Sequence, residues 1–80
     1  MHKWTKRSRP LRLERRLDFD DFQNTRDFLD RLGELCEERQ RFPDISFGKN
    51  YVNLTLQPED ENEFTGLDLK LASDIDKLIQ

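Results

Sequence analysis

The sequence predicts an α+β fold in which two helices pack on one face of a small antiparallel sheet, in the order strand, helix, strand, strand, helix. Three segments alternate apolar and polar residues, which is typical of half-buried strands, and two others repeat apolar residues at helical spacing. A tight turn at Gly48-Lys49-Asn50 joins the last two alternating segments. The 80 residues form one domain with a thin core, because a chain of this size buries only about 60% of its unfolded surface.

The first strand is predicted from position 11, because apolar residues occupy every second position there except one. These apolar residues are Leu11, Leu13, Leu17 and Phe19. Arg15 takes the remaining position, so we expect its charge at an edge of the sheet or extended past it. Pro10 is tolerated at the start of a strand. We therefore predict a basic N-terminal arm over residues 1–10 and a single domain over residues 11–80.

The first helix is predicted to begin at Asp20, because Asp20 and Gln23 form a capping-box pattern. Its apolar stripe comprises Phe22, Thr25, Phe28, Leu29, Leu32, Leu35 and Cys36. Gly33 costs about 1 kcal/mol relative to alanine in a helix, so we interpret it as a point of close packing against the sheet. Pro43 prevents continuation, and the helix is expected to end near Arg39.

The second and third strands are predicted to form a hairpin. Ile45 and Phe47 begin it, and Gly48 and Asn50 are expected to supply positive φ angles in the turn. The third strand places Val52, Leu54 and Leu56 on one face and Tyr51, Asn53 and Thr55 on the other. Pro58 ends it.

The last helix follows an acidic loop over residues 59–63. Thr65 and Asp68 form a second capping-box pattern, so we expect Thr65 to cap this helix. Its apolar stripe comprises Leu67, Leu71, Ala72, Ile75, Leu78 and Ile79. Three strands leave open sheet edges that favour pairing with a second copy, so we expect self-association.

The net charge of −3 conceals an asymmetry. Residues 1–16 carry seven Lys or Arg and one Glu, whereas residues 17–80 carry seven Lys or Arg and sixteen Asp or Glu. A basic arm on an acidic body could bind nucleic acid or an acidic protein surface. The alternative is a solvated N-terminus without a partner.

Cys36 is the only cysteine, which excludes an intramolecular disulfide and fits a reducing compartment. We predict that it serves as a small apolar residue on the helix rather than a reactive thiol, because His2 is the only histidine. The sequence contains no apolar run typical of a signal peptide or membrane span, so we expect a cytoplasmic protein with no membrane association. It contains no phosphate-binding loop or Cys/His cluster, so we expect no cofactor and no metal.

Two segments, the hairpin of residues 41–56 and the helical run of residues 68–72, resemble the pterin-4a-carbinolamine dehydratase family. Phe19 at the end of the first strand and Asp21-Phe22 at the start of the helix are similar to the family as well. The resemblance covers about residues 12–80. It implies the same order of elements and a homodimer in which two subunits join their sheets.

The resemblance also implies which positions would act in the family's reaction. Its two consecutive histidines fall on Arg41 and Phe42 and its third on Glu59, while its two acidic residues fall on Glu37 and Asp68. Dehydration of a carbinolamine needs one group to protonate the leaving hydroxyl and another to accept a proton from ring nitrogen. Imidazole suits both roles near neutral pH, whereas guanidinium and benzyl groups exchange no proton there. We therefore predict an inactive dehydratase homologue.

Several longer strings are similar to a histidine-free branch of this family that is associated with the alpha-type carboxysome. They are Arg9-Pro10 and residues 13–16, 25–32, 42–48 and 51–53. This resemblance implies a non-catalytic factor that assists the assembly of the carbon-fixing enzyme RuBisCO. The expected partner is RuBisCO or another carboxysome protein.

The candidate protein-binding residues are Arg41, Phe42, Asp44 and Tyr51, which combine aromatic and charged groups in the way that protein interfaces do. Phe42 and Tyr51 could instead belong to the core or the sheet face.

A second hypothesis is a dehydratase that works with the carboxylates of Glu37, Glu59 and Asp68, one of which would need a raised pKa. A third is nucleic-acid binding through the basic arm, with base stacking on Trp4 or Tyr51. The acidic body opposes it, so we do not expect a nucleic-acid partner.

Overall fold

The structure is a computed structural model, and it describes residues 4–60 and 62–79. Its elements are β1 (Thr5–Ser8), β2 (Leu11–Asp18), α1 (Phe22–Arg39), β3 (Asp44–Phe47), β4 (Tyr51–Leu56) and α2 (Gly66–Lys77). The four strands form one sheet in the order β1-β2-β4-β3, and each neighbouring pair is antiparallel. This architecture confirms the predicted α+β fold.

Strand register separates a buried face of the sheet from a polar one. Leu13 lies opposite Leu56 and Leu17 opposite Val52, and all four side chains are buried beneath the helices. Glu14, Arg16, Asn53 and Thr55 point to the other face, which is polar and partly exposed. The alternation read from the sequence therefore gives the correct faces for β2 and β4.

The core is formed by one face of the sheet and the inner faces of both helices. Its buried apolar residues are Trp4, Leu13, Leu17, Phe28, Leu32, Cys36, Val52, Leu54, Leu56, Leu71, Ala72 and Ile75. Burial raises the pKa of the Cys36 thiol. Cys36 is therefore the small apolar residue that the sequence predicts. Among the described residues, no helix is long and apolar enough to cross a membrane.

The strand β1 was not predicted from the sequence, which indicated three strands rather than four. All four of its side chains are exposed, so no alternation marks it in the sequence. Backbone pairing with β2 holds it, and the preceding Trp4 enters the core with only 6% of its surface exposed. A buried Trp4 is not accessible for base stacking. Residues 1–3 of the predicted arm lie outside the described residues.

Arg15 differs from its prediction as well. Its side chain lies on the helix side of the sheet and is 9% exposed. Arg15 Nη1 and Trp4 Nε1 both donate to Asp76 Oδ1 on α2. The charge is therefore neutralised under α2 instead of extending past the sheet, and this small polar network ties the residue before β1 to the last helix.

The start and middle of α1 correct two predictions. Asp21, not Asp20, is the N-cap, and its side chain accepts from the Asn24 backbone N–H at 2.8 Å. Gly33 is exposed, and a Cβ there would meet nothing, so it is not a point of close packing. Phe22 of the predicted stripe is 47% exposed. The predicted end near Arg39 is confirmed.

The hairpin turn also works differently from its prediction. Neither Gly48 nor Asn50 has a positive φ angle. Gly48 is needed because a Cβ at that position would overlap the ring of Tyr51. Close approach of an aromatic ring, rather than a left-handed backbone, is therefore the physical reason for this glycine.

The capping box at the start of α2 is confirmed. The Thr65 hydroxyl accepts from the Asp68 backbone N–H at 3.3 Å, and Asp68 Oδ2 accepts from the Thr65 backbone N–H at 2.8 Å. Leu67 does not join the buried stripe, since 68% of its surface is exposed. Asp68 takes that inward position instead, which brings a carboxylate toward the end of α1.

Candidate functional site

The candidate site lies where the segment between α1 and β3 meets the segment after β4. Asp44 pairs with Thr55, so the residues just before β3 lie beside those just after β4. They form an open cleft of about 220 Å³, which we call the Arg41 cleft. Its lining consists of Arg41, Phe42, Asp44, Thr55, Leu56, Gln57, Pro58 and Glu59.

The end of α1 determines where Arg41 enters the cleft. Gln40 adopts a left-handed conformation with φ of 55°, and its backbone N–H donates to the Glu37 carbonyl. The Arg41 backbone N–H donates to the Cys36 carbonyl at 3.2 Å. Such paired bonds close a helix end and fix the direction of the departing chain. Arg41 is thereby directed toward the first turn of α2.

The guanidinium of Arg41 is held by three acceptors. Nη1 donates to Asp68 Oδ1 at 2.6 Å and to Glu59 Oε1 at 3.3 Å. Nη2 donates to the backbone carbonyl of Gln57 at 2.9 Å. Only 20% of the Arg41 side chain is exposed. This one side chain therefore links the end of α1, the segment after β4 and the start of α2.

Asp68 is fully buried at the back of this arrangement. Burial alone would raise its pKa, but the Thr65 backbone N–H and the Arg41 guanidinium stabilise the charged form, and together they lower the pKa. The carboxylate therefore stays ionised near neutral pH and has no proton to donate. Its two oxygens are already used by Arg41 and by the helix cap.

The other residues named from the sequence fall into two groups. Phe42, 65% exposed, and the exposed Asp44 line the cleft together with Glu59, whose side chain is 52% exposed. Tyr51 lies at the opposite end of β4, where its ring centroid is 4.5 Å from the Arg16 guanidinium carbon. Glu37 is exposed on α1 and does not line the cleft.

The cleft offers charge and aromatic surface, but its lining contains no imidazole, the side chain best suited to proton transfer near neutral pH. A guanidinium is effectively always protonated, Phe42 has no titratable group, and Asp68 is held ionised. Sequence reasoning identified these positions but missed the bonds among them. The available signal was the charge pattern, because the resemblance implies an arginine in place of an imidazole beside acidic positions that remain.

Comparisons with known proteins agree with the resemblance inferred from the sequence. The model of the pterin 4 alpha carbinolamine dehydratase family matches residues 1–78. A Methylococcus capsulatus protein is 30% identical over 76 residues, which cover 95% of this chain and 67% of the relative. An Aromatoleum aromaticum protein is 35% identical over 75 residues, which cover 94% and 67%. Both are provisionally named pterin-4-alpha-carbinolamine dehydratases, and the chain spans about two thirds of their length.

Two solved structures share the fold over nearly the whole chain. One is a pterin dehydratase-like protein identified as a RuBisCO assembly factor in the alpha-carboxysome, with a TM-score of 0.87, 35% identity, and coverage of 98% of this chain and 90% of the other. The second is a transcriptional coactivator/pterin dehydratase from Brucella melitensis, with a TM-score of 0.86, 26% identity, and coverage of 98% and 83%. These matches confirm the family resemblance and the fold that it implies.

Proposed function

The chain belongs to the pterin 4 alpha carbinolamine dehydratase family, and from that premise we propose that it is a non-catalytic member that assists RuBisCO assembly. One observation carries this proposal. Arg41 binds both Asp68 and Glu59, and the resemblance implies that these three residues occupy functional positions of the family, with Arg41 in place of a histidine. In the cleft where the family's chemistry would occur, these groups are thus already engaged in ion pairs with one another.

Removing Arg41 from these ion pairs would lower the stability of the folded protein. The Asp68 carboxylate is buried, and a buried charge that loses its partner destabilises a protein by about 3–5 kcal/mol. A small hydroxylated substrate would find no imidazole in the cleft, and it could bind Asp68 only by displacing the guanidinium against this cost. The arrangement favours a structural role for the cleft over turnover.

Two features favour protein binding. Phe42 leaves 65% of its surface in solvent beside two accessible carboxylates, and an exposed aromatic residue is a frequent anchor at protein interfaces. The similarity to a structure identified as a RuBisCO assembly factor supports RuBisCO as the partner. RuBisCO, or another carboxysome protein, is therefore the proposed partner, with the protein in the cytoplasm and associated with the alpha-carboxysome.

The proposed active form is a homodimer joined through β3. The sheet ends at β1 and β3, and β3 carries Ile45 and Phe47 on the helix side of the sheet, 42% and 55% exposed. The exposed strand β1 offers only Thr, Lys, Arg and Ser. An edge that combines unpaired backbone groups with exposed apolar side chains favours pairing with a second copy.

Co-expression with RuBisCO tests the assembly function. The wild-type protein should raise the yield of assembled RuBisCO, measured by native gel and carboxylase activity, whereas Phe42→Ala should remove most of the gain. Phe22→Ala is the matched control, because Phe22 is also an exposed phenylalanine but lies at the start of α1, away from the cleft. Equal RuBisCO yields with and without the wild-type protein would reject the function.

The second candidate is an active dehydratase, which the names of the relatives favour. Of the three carboxylates named for it, only Glu59 lines the cleft, while Asp68 is buried behind Arg41. The lowered pKa of Asp68 opposes a role as proton donor. Turnover of the hydroxylated pterin by the purified protein separates the two candidates.

A further inference from the structure

We propose that the Arg41 cleft recognises a positively charged side chain, an arginine or lysine in an extended segment of the partner protein. This inference rests on the proposed function, because it specifies the chemistry of the partner that the cleft would bind.

The guanidinium of Arg41 already has its own partners within the protein. It binds two carboxylates and one backbone carbonyl, and four fifths of the Arg41 side chain is buried. An acidic partner group could reach it only by competing with Asp68, which would then be left buried with its charge uncompensated. Arg41 therefore shapes the cleft and is not its contact residue.

The second step is the charge that remains accessible. Around the cleft, Arg41 supplies one positive charge against three negative charges from Asp44, Glu59 and Asp68. The two carboxylates that face solvent are Asp44, which is exposed, and Glu59, whose side chain is 52% exposed. This balance repels carboxylates and phosphates and attracts a cation.

The third step is the exposed ring of Phe42. A guanidinium or ammonium group over an aromatic face is attracted by the π electrons within about 6 Å of the ring centre. Phe42 and the two accessible carboxylates line the same cleft, so one cationic side chain could stack on the ring and pair with a carboxylate at once. The volume of about 220 Å³ suits the end of one long side chain rather than a helix.

The test uses N-acetyl-arginine amide as the probe, followed by chemical shifts of the backbone amides in a ¹⁵N-labelled sample. Saturable amide shifts should be confined to Phe42, Asp44, residues 55–57 and Glu59, since Pro43 and Pro58 have no backbone N–H. The Asp44→Lys variant should bind the probe about tenfold more weakly, because an attraction becomes a repulsion. Asp30→Lys, the same charge change on the exposed face of α1, should bind it within about twofold of wild type.

Three outcomes would overturn the inference: shifts spread evenly over the acidic surface, unchanged affinity in Asp44→Lys, or equal binding of N-acetyl-glutamate amide at the same residues. Should Asp44→Lys fail to fold, Asp44→Asn gives a second measure, because it preserves the size of the side chain. Asp44→Asn should bind the probe about threefold more weakly than wild type does. Co-expression with RuBisCO distinguishes failure of the cation-binding inference from failure of the proposed assembly function. If wild-type protein raises the RuBisCO yield and Asp44→Lys raises it equally, the inference alone is wrong.

Discussion

At the scale of single residues, Arg41 decides what the cleft can do. It is a permanent cation that exchanges no proton near neutral pH, and it joins three parts of the chain through Asp68, Glu59 and the Gln57 carbonyl. The identities of these residues could be compared with the family from the sequence. Their bonds could not, because they depend on the register of β3 with β4 and on the inward turn of Asp68 at the start of α2.

The Asp68→Asn variant tests the importance of this ion pair. It removes the charge that faces Arg41 inside the protein and weakens the capping box, so the free energy of unfolding should fall by about 3 kcal/mol. Urea unfolding monitored by circular dichroism gives the value. Asp30→Asn, at an exposed position on α1, should change it by less than about 0.5 kcal/mol. A loss in Asp68→Asn no larger than in this control would contradict the described geometry.

Acid should destabilise the protein through the same residue. The folded pKa of Asp68 lies below its ordinary value, because hydrogen bonds and Arg41 outweigh burial, and the pKa of Asp74 is likewise lowered by Arg39 and Lys70 against burial. A carboxylate with a depressed folded pKa stabilises the protein above its unfolded pKa, and this contribution is lost as pH falls further.

The free energy of unfolding should therefore decline below about pH 4, through the folded pKa values of these groups. Asp68→Asn should decline less steeply than wild type over the same range. Parallel pH profiles for the two proteins, measured by urea unfolding at each pH, would show that Asp68 is not the responsible group.

At the scale of elements, the sequence correctly predicts those helix ends that neighbouring residues determine. The capping box of Thr65 and Asp68 correctly marks α2, and Pro43 correctly limits α1. The strand β1 could not be predicted in this way, because its four exposed residues bury nothing and it is held by backbone pairing with β2. The inward orientation of Arg15 was missed for a related reason, since its partner Asp76 is 61 residues away.

Gly33 lowers the stability of α1, and replacing it with alanine should raise the stability of the protein. A Cβ would meet nothing, and the residue lies mid-helix, so Gly33→Ala should stabilise the protein by up to about 1 kcal/mol. Thermal and urea unfolding measure the change. Gly48→Ala is the contrasting variant and should be destabilising, because its Cβ would overlap the Tyr51 ring. A destabilising Gly33→Ala would indicate that this face of α1 packs against another copy.

At the scale of the whole molecule, an 80-residue chain has little core, and much apolar surface remains outside it. Trp4 and β1 enlarge the core and the sheet beyond what the sequence indicated. Whether residues 1–10 behave as an arm separate from residues 11–80 stays a prediction. The exposed apolar residues of β3 support the proposed homodimer.

Dimer formation can be tested at the edge of the sheet. Phe47→Lys places a charge beside the unpaired backbone of β3, so it should convert the dimer into a monomer of 9.7 kDa. Size-exclusion chromatography with light scattering measures the mass. Phe22→Lys carries the same substitution at an exposed phenylalanine on α1 and should remain dimeric. A monomeric wild type, or a dimeric Phe47→Lys, would exclude pairing through β3.

The most direct measurement for the account as a whole is the rate at which the purified protein dehydrates a pterin 4a-carbinolamine. Because Arg41 is held in ion pairs with Asp68 and Glu59, and the resemblance implies that none of the family's histidine positions holds an imidazole here, the rate should equal that in buffer at neutral pH. A rate clearly above buffer that Glu59→Gln abolishes would contradict the account, because it would show that carboxylates alone perform the family's reaction.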